Sequence, residues 1–223
     1  MRSVNVLMNF GVADYDGLQT QVAYRGSRKV YAALSYTLSK ATNTTEPDGN
    51  GIAPSQAVLS RLDEVERGPS VVDQRHRAVI TFTYQLPYNL TAGTVTQLAS
   101  ARPFNATTGV DNNGDAANND RPVVNGTVVG KSAFRGTGTE DVSLFIEGRI
   151  KPAGRTILLR LEGFNLFNHG NLLGRAQTVY GDLATANPTF GQVVAVGAET
   201  NAIPSLANID PPRMFQFQAR FVF

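Results

Sequence analysis

In six stretches of this chain apolar side chains recur at every second position, the signature of a strand with unlike faces, and a seventh shows the pattern weakly. The last stretch is the clearest: Phe215, Phe217, Ala219, Phe221 and Phe223 alternate with Gln216, Gln218 and Arg220. Residues 14–25 set Leu18, Thr20, Val22 and Tyr24 against Gln19, Gln21 and Ala23. Residues 29–40 set Val30, Ala32, Leu34, Tyr36 and Leu38 against Tyr31, Ala33, Ser35, Thr37 and Ser39. In residues 76–86, Ala78, Ile80, Phe82, Tyr84 and Leu86 oppose Arg77, Val79, Thr81, Thr83 and Gln85. Residues 141–151 place Val142, Leu144, Ile146 and Ile150 against Ser143, Glu147 and Arg149, and residues 155–165 place Ile157, Leu159 and Leu161 against Arg160 and Glu162. Residues 90–104 form the remaining strand, with alternation too faint to fix its facing.

The connections between these strands alternate short and long. Arg25-Gly26-Ser27-Arg28, Pro87-Tyr88-Asn89 and Pro152-Ala153-Gly154 are tight polar turns, with Gly26 available for a positive φ. Residues 41–75, 105–140 and 166–213 are long and polar, and residues 57–66 are expected to form a short helix. Compact soluble domains seldom hold unstructured loops beyond ~15 residues. Outer-membrane barrels combine short periplasmic turns with long external loops. Ten residues at ~3.4 Å, tilted ~45°, span roughly 24 Å, close to the ~25 Å apolar band of such barrels. Tyr24, Tyr84, Tyr88, Phe104 and Phe223 lie at strand ends, where interfacial aromatic girdles belong. The reading is therefore all-β, an antiparallel transmembrane barrel segment with apolar faces toward lipid and polar faces toward a lumen. A soluble β-sandwich is the alternative, and it requires a second layer over the apolar faces.

Composition narrows the function. Of 223 residues, twenty are basic and eighteen acidic, too even a balance for a nucleic-acid footprint. Cysteine is absent, so there is neither a disulfide framework nor a thiolate metal site. No apolar run approaches the ~20 residues of a membrane helix. Residues 1–8 are too short and polar for a signal peptide, so the expectation is that the true amino-terminus lies upstream. No catalytic order of Ser, His and Asp, no zinc-protease motif and no phosphate loop occurs, and His76 and His169 lack partners at ligand spacing. The chain is therefore not expected to be an enzyme, nor to carry a cofactor. Asp111, Asn113 and Asp115 match the first oxygen positions of a calcium loop, but Ala116 and Pro122 occupy the positions that need Gly and Glu, so a turn-rich loop is the better reading.

Several short segments, in order, resemble the carboxy-terminal barrel of TonB-dependent outer-membrane receptors, closest to the Oar-like group. They are Tyr15-Asp16-Gly17-Leu18-Gln19, Ser35-Tyr36-Thr37-Leu38-Ser39-Lys40, Asp73-Gln74-Arg75-His76-Arg77, Leu86-Pro87-Tyr88 and Ala101-Arg102-Pro103-Phe104. Asn119-Asp120-Arg121-Pro122, Glu162-Gly163-Phe164-Asn165-Leu166-Phe167-Asn168-His169 and Pro212-Arg213 continue the series, so the resemblance spans residues 1–223. It implies a 22-stranded barrel around a plug and active uptake of a scarce nutrient such as a siderophore, vitamin, oligosaccharide or peptide. Seven or eight strands, without plug or TonB box, correspond to the last third of such a receptor, inactive alone. The implied partners are outer-membrane lipid, the barrel-assembly machinery, TonB through the missing plug, and a nutrient ligand, but no nucleic acid. Arg77, Glu147, Arg149, Arg160, Glu162 and Arg220 are the expected lumen-facing charges, and Phe215, Phe217, Phe221 and Phe223 the expected assembly signal. A small outer-membrane barrel of structural or adhesive role, completed by an eighth strand from residues 1–10, is the second functional reading.

Overall fold

The computed structural model describes residues 11–26, 29–44, 67–112, 120–171 and 212–222. Seven long strands form one antiparallel sheet: β1 (Ala13–Gly26), β2 (Val30–Asn43), β4 (His76–Leu86), β5 (Leu90–Ala99), β10 (Thr139–Ile150), β11 (Thr156–Phe164) and β12 (Met214–Val222). They pair in the order of the chain, each with the next, so the sheet is an open meander with β1 and β12 at its edges. Five two-residue strands decorate one end: β3 (Gly68–Pro69) on β2, β6 (Pro103–Phe104) with β9 (Phe134–Arg135), and β7 (Val123–Val124) with β8 (Thr127–Val128). No helix is present among the described residues, and the expected helix at 57–66 lies outside them.

Because one register runs through all seven strands, each parity keeps its face across the whole sheet. One row reads Tyr24, Ala32, Phe82, Thr94, Leu144, Gly163, Phe215, and the next reads Gly26, Val30, Tyr84, Ala92, Ile146, Leu161, Phe217. This fixes the facing of β5: Leu90, Ala92, Thr94, Thr96 and Leu98 join the apolar face, Val95 and Gln97 the polar one. The strand ends at Ala99 and does not run to residue 104.

The tight turns lie at one end. In 87–90, Leu90 N donates to Pro87 O, and Tyr88 and Asn89 both have positive φ (62° and 56°). In 152–155, Arg155 N donates to Pro152 O, with Ala153 and Gly154 at 48° and 80°. Two successive left-handed residues give the turn whose twist matches a hairpin. Gly26 departs from expectation. It is not among the positive-φ residues but ends β1 opposite Val30, with the Tyr24 ring lying where a Cβ would project.

The buried part of the molecule is at the other end. Phe104 packs on Phe134 at 5.8 Å between ring centroids, in the β6–β9 pair. Phe104 is thus a buried member of a loop cap and not a girdle residue. Residues 105–140, expected as irregular loop, contribute β7, β8, β9 and the start of β10.

Candidate functional site

Three surfaces carry the chemistry of this chain, and the first is the apolar face. Leu18, Val22, Tyr24, Leu34, Ile80, Phe82, Tyr84, Leu144, Ile146, Leu161, Phe215, Phe217 and Phe221 all lie on it, and all are exposed. Phe215 and Phe217 at the edge are each 66% exposed, and Ile80 in a central strand is still 38% exposed. No second layer of described residues covers them: among the described residues the buried hydrophobic core is Phe104 and Ala106, both in the loop cap. At about half exposure, each of these side chains forgoes roughly half of the ~1.5–3 kcal/mol that full burial gives. Summed over this face, the loss is comparable with the ~5–15 kcal/mol by which a domain is stable. The face therefore requires an apolar environment supplied from outside the described residues. Phe215, Phe217 and Phe221 stand together on its β12 edge, while Phe223 lies outside the described residues.

The opposite face is polar. Its rows include Gln19, Thr37, Arg77, Ala99 and Thr139, then Gln21, Ser35, Val79, Gln97 and Asp141. Nearer the short turns runs the row Gln85, Thr91, Glu147, Arg160, Gln218. Arg160 gathers a cluster here. Its Nη2 donates to Glu162 Oε1 at 2.6 Å, its Nη1 lies 3.5 Å from Glu147 Oε2, and its guanidinium carbon sits 4.0 Å from the Phe145 ring centroid. The acid–base pairs contribute about 0.2–1 kcal/mol each, and the ring adds a cation–π contact. Phe145 faces the polar side because Gly93, directly opposite on β5, leaves room for its ring. Arg149 and Arg220 share this face but stand apart from the cluster, on either side of Leu158.

The third surface is the long-connection end, where polar groups are buried and many of them pair with one another. Asp73 is 1% exposed; its Oδ1 accepts from Ala41 N at 2.8 Å, and its Oδ2 accepts from Arg135 and lies 3.7 Å from Arg75. Gln74 O accepts from Ser39 Oγ, and Gln74 Nε2 donates to Ser100 O. Lys131 donates to Asn43, and Ser132 N to Asn105 Oδ1. Asn165, with φ 45°, clamps its own loop: Oδ1 accepts from His169 N and Nδ2 donates to His169 O, both at 2.9 Å. The loop then receives β12, since Arg213 N donates to Asn168 Oδ1. Segments that resemble the receptor family at separate points of the sequence therefore meet here in space.

The remaining candidates are placed more briefly. Asp111 is exposed, while Asn113 and Asp115 lie outside the described residues. No group of three His, Cys, Asp or Glu suited to a metal occurs among the described residues. His76 Nδ1 bonds Tyr36 Oη at 2.7 Å, and His169 Nδ1 bonds Asn171 Oδ1 at 2.8 Å. Sequence reasoning missed Asp73 as a hub and Phe145 as a member of the polar side. Asp73 opens the segment Asp73-Gln74-Arg75-His76-Arg77, but nothing local in the sequence marks it as buried.

The family model described as outer membrane beta barrel domain matches residues 1–133 of the chain. No curated protein and no solved structure matches it.

Proposed function

The chain belongs to the outer membrane beta barrel domain family and so to the bacterial outer membrane, and on that premise we propose that it is the carboxy-terminal wall of a TonB-dependent transporter. In this reading the apolar face meets lipid, the polar face lines the lumen, the short turns are periplasmic and the long connections external. Glu147, Arg160 and Glu162, with Arg77, Arg149 and Arg220, form the charged lumen wall, facing a plug supplied by the rest of the receptor. The terminal aromatics Phe215, Phe217, Phe221 and Phe223 are the signal for the assembly machinery. The nutrient enters from outside, and TonB acts through the plug. The segment alone neither transports nor catalyses.

The observation that carries this reading is an open seven-strand meander with two unlike faces, whose edges β1 and β12 have no strand partner among the described residues. A membrane barrel must close, because an unpaired edge in hydrocarbon leaves backbone groups without partners. The ordered receptor-like segments support the remainder of such a receptor as the source of the missing wall. The test is to tag the hairpin β7–β8, isolate the outer-membrane species that carries the tag, and compare nutrient-limited growth with and without TonB. A large species whose deletion mimics loss of TonB supports the transporter. A self-closed species near 24.0 kDa, with growth indifferent to both, replaces it with the small structural barrel.

A further inference from the structure

Among the described residues, four arginines gather at one place on the long-connection end. Arg75, Arg77, Arg102 and Arg135 converge where β4 begins and β5 ends, held there by the register Arg77–Ala99 and by bonds from Gly136 N to Arg102 O and from Arg135 Nη1 to Ala101 O. Asp73 is the acid among them, and it is already committed to Arg75 and Arg135. Arg77 and Arg102 have no ion pair among the described residues. On the polar face the next carboxylate along β10, Asp141, stands two strands and two residues from Arg77, ~12 Å at ordinary strand spacing and rise, and accepts from Ser143 Oγ.

Arg102 is the unusual member. Its Nε and Nη1 are buried and have no acceptor among the described residues. Burial, and then the charge of Arg77, lower its pKa from the ordinary guanidinium value, which marks a cation short of both water and counter-charge. Native proteins seldom leave two buried donors of a charged group unmet. A guanidinium fork matches the two oxygens of a carboxylate or phosphate, and such charge-assisted pairs are among the strongest hydrogen bonds.

We propose that Arg102, with Arg77 beside it, seats an oxyanion, a phosphate or carboxylate borne by a ligand that arrives at the long-connection end. The site does not depend on the transporter reading, because direct binding registers it without transport. The protein isolated from outer membranes in detergent is titrated with inorganic phosphate and followed by phosphorus NMR line broadening. The expected result is saturable broadening that weakens about tenfold or more in Arg102→Met, falls with Arg77→Gln, and is partly kept by Arg102→Lys. Arg25→Gln, on the same face at the opposite end, leaves it unchanged. Heat-modifiable electrophoretic mobility confirms that each variant is folded. Displacement by citrate assigns a free ligand, and displacement by lipopolysaccharide alone assigns a phosphate of the surrounding lipid. Absence of saturable broadening, or equal broadening in folded Arg102→Met, overturns the site.

Discussion

At the scale of single residues, the sheet is fitted by pairing glycine with an aromatic ring. A Cβ on Gly93 would come within 2.6 Å of the Phe145 ring and 2.7 Å of the Phe82 carbonyl oxygen, so neither ring nor backbone can yield cheaply. Gly148, on the neighbouring β10, would meet only the flexible end of Leu90 at 3.1 Å. Gly93→Ala is therefore expected to cost about 1–3 kcal/mol through overpacking, while Gly148→Ala stays within about 0.5 kcal/mol of the parent. Urea unfolding of the two variants in lipid bilayers measures the difference, and equal midpoints would remove the packing argument. The same ring explains why a phenylalanine stands on a polar face. Arg160 lies over it while Glu147 and Glu162 hold the guanidinium. Alternation alone puts Arg160 on one face with Glu147 and Glu162, but does not show the ring beneath it.

At the scale of elements, the strands were legible because a two-residue period leaves little freedom: all seven expected strands form, six within three residues of the expected bounds and β5 five residues short. β5 resisted because Thr94 and Thr96 lie on its apolar face while Val95 lies on the polar one, so polarity does not alternate. Its facing comes only from its neighbours. The loop cap was illegible for a different reason. Its interior is made of polar residues such as Asp73, Lys131 and Ser132, buried by partners far away in sequence. Hydrophobic patterning carries no mark of such burial. The unlike faces make an element-scale prediction on β12, where Phe217 lies opposite Leu161 and Gln218 opposite Arg160. Phe217→Arg should impair membrane assembly, since Arg at mid-bilayer on a lipid face costs ~2–4 kcal/mol. Gln218→Arg should assemble normally, as its side chain joins a face already rich in charge. Equal yields of folded protein from the two variants would remove the facing of the terminal strand.

At the scale of the whole molecule, the sheet and its cap divide the labour. The cap ties successive strand ends together through buried hydrogen bonds, leaving the sheet exposed on both faces. Such a sheet suits a wall between hydrocarbon and water and does not suit a soluble domain. The account rests on that division of solvents, and the absence of cysteine makes it directly measurable. Single cysteines are placed along β4 at positions 81 to 84, the protein is assembled in bilayers, and each residue is labelled with a fluorophore. Positions 82 and 84 should be quenched by brominated acyl chains and shielded from aqueous reagents, while 81 and 83 behave in the opposite way. Equal quenching at both parities, or shielding of 82 and 84 in a protein that stays soluble without detergent, would contradict the account.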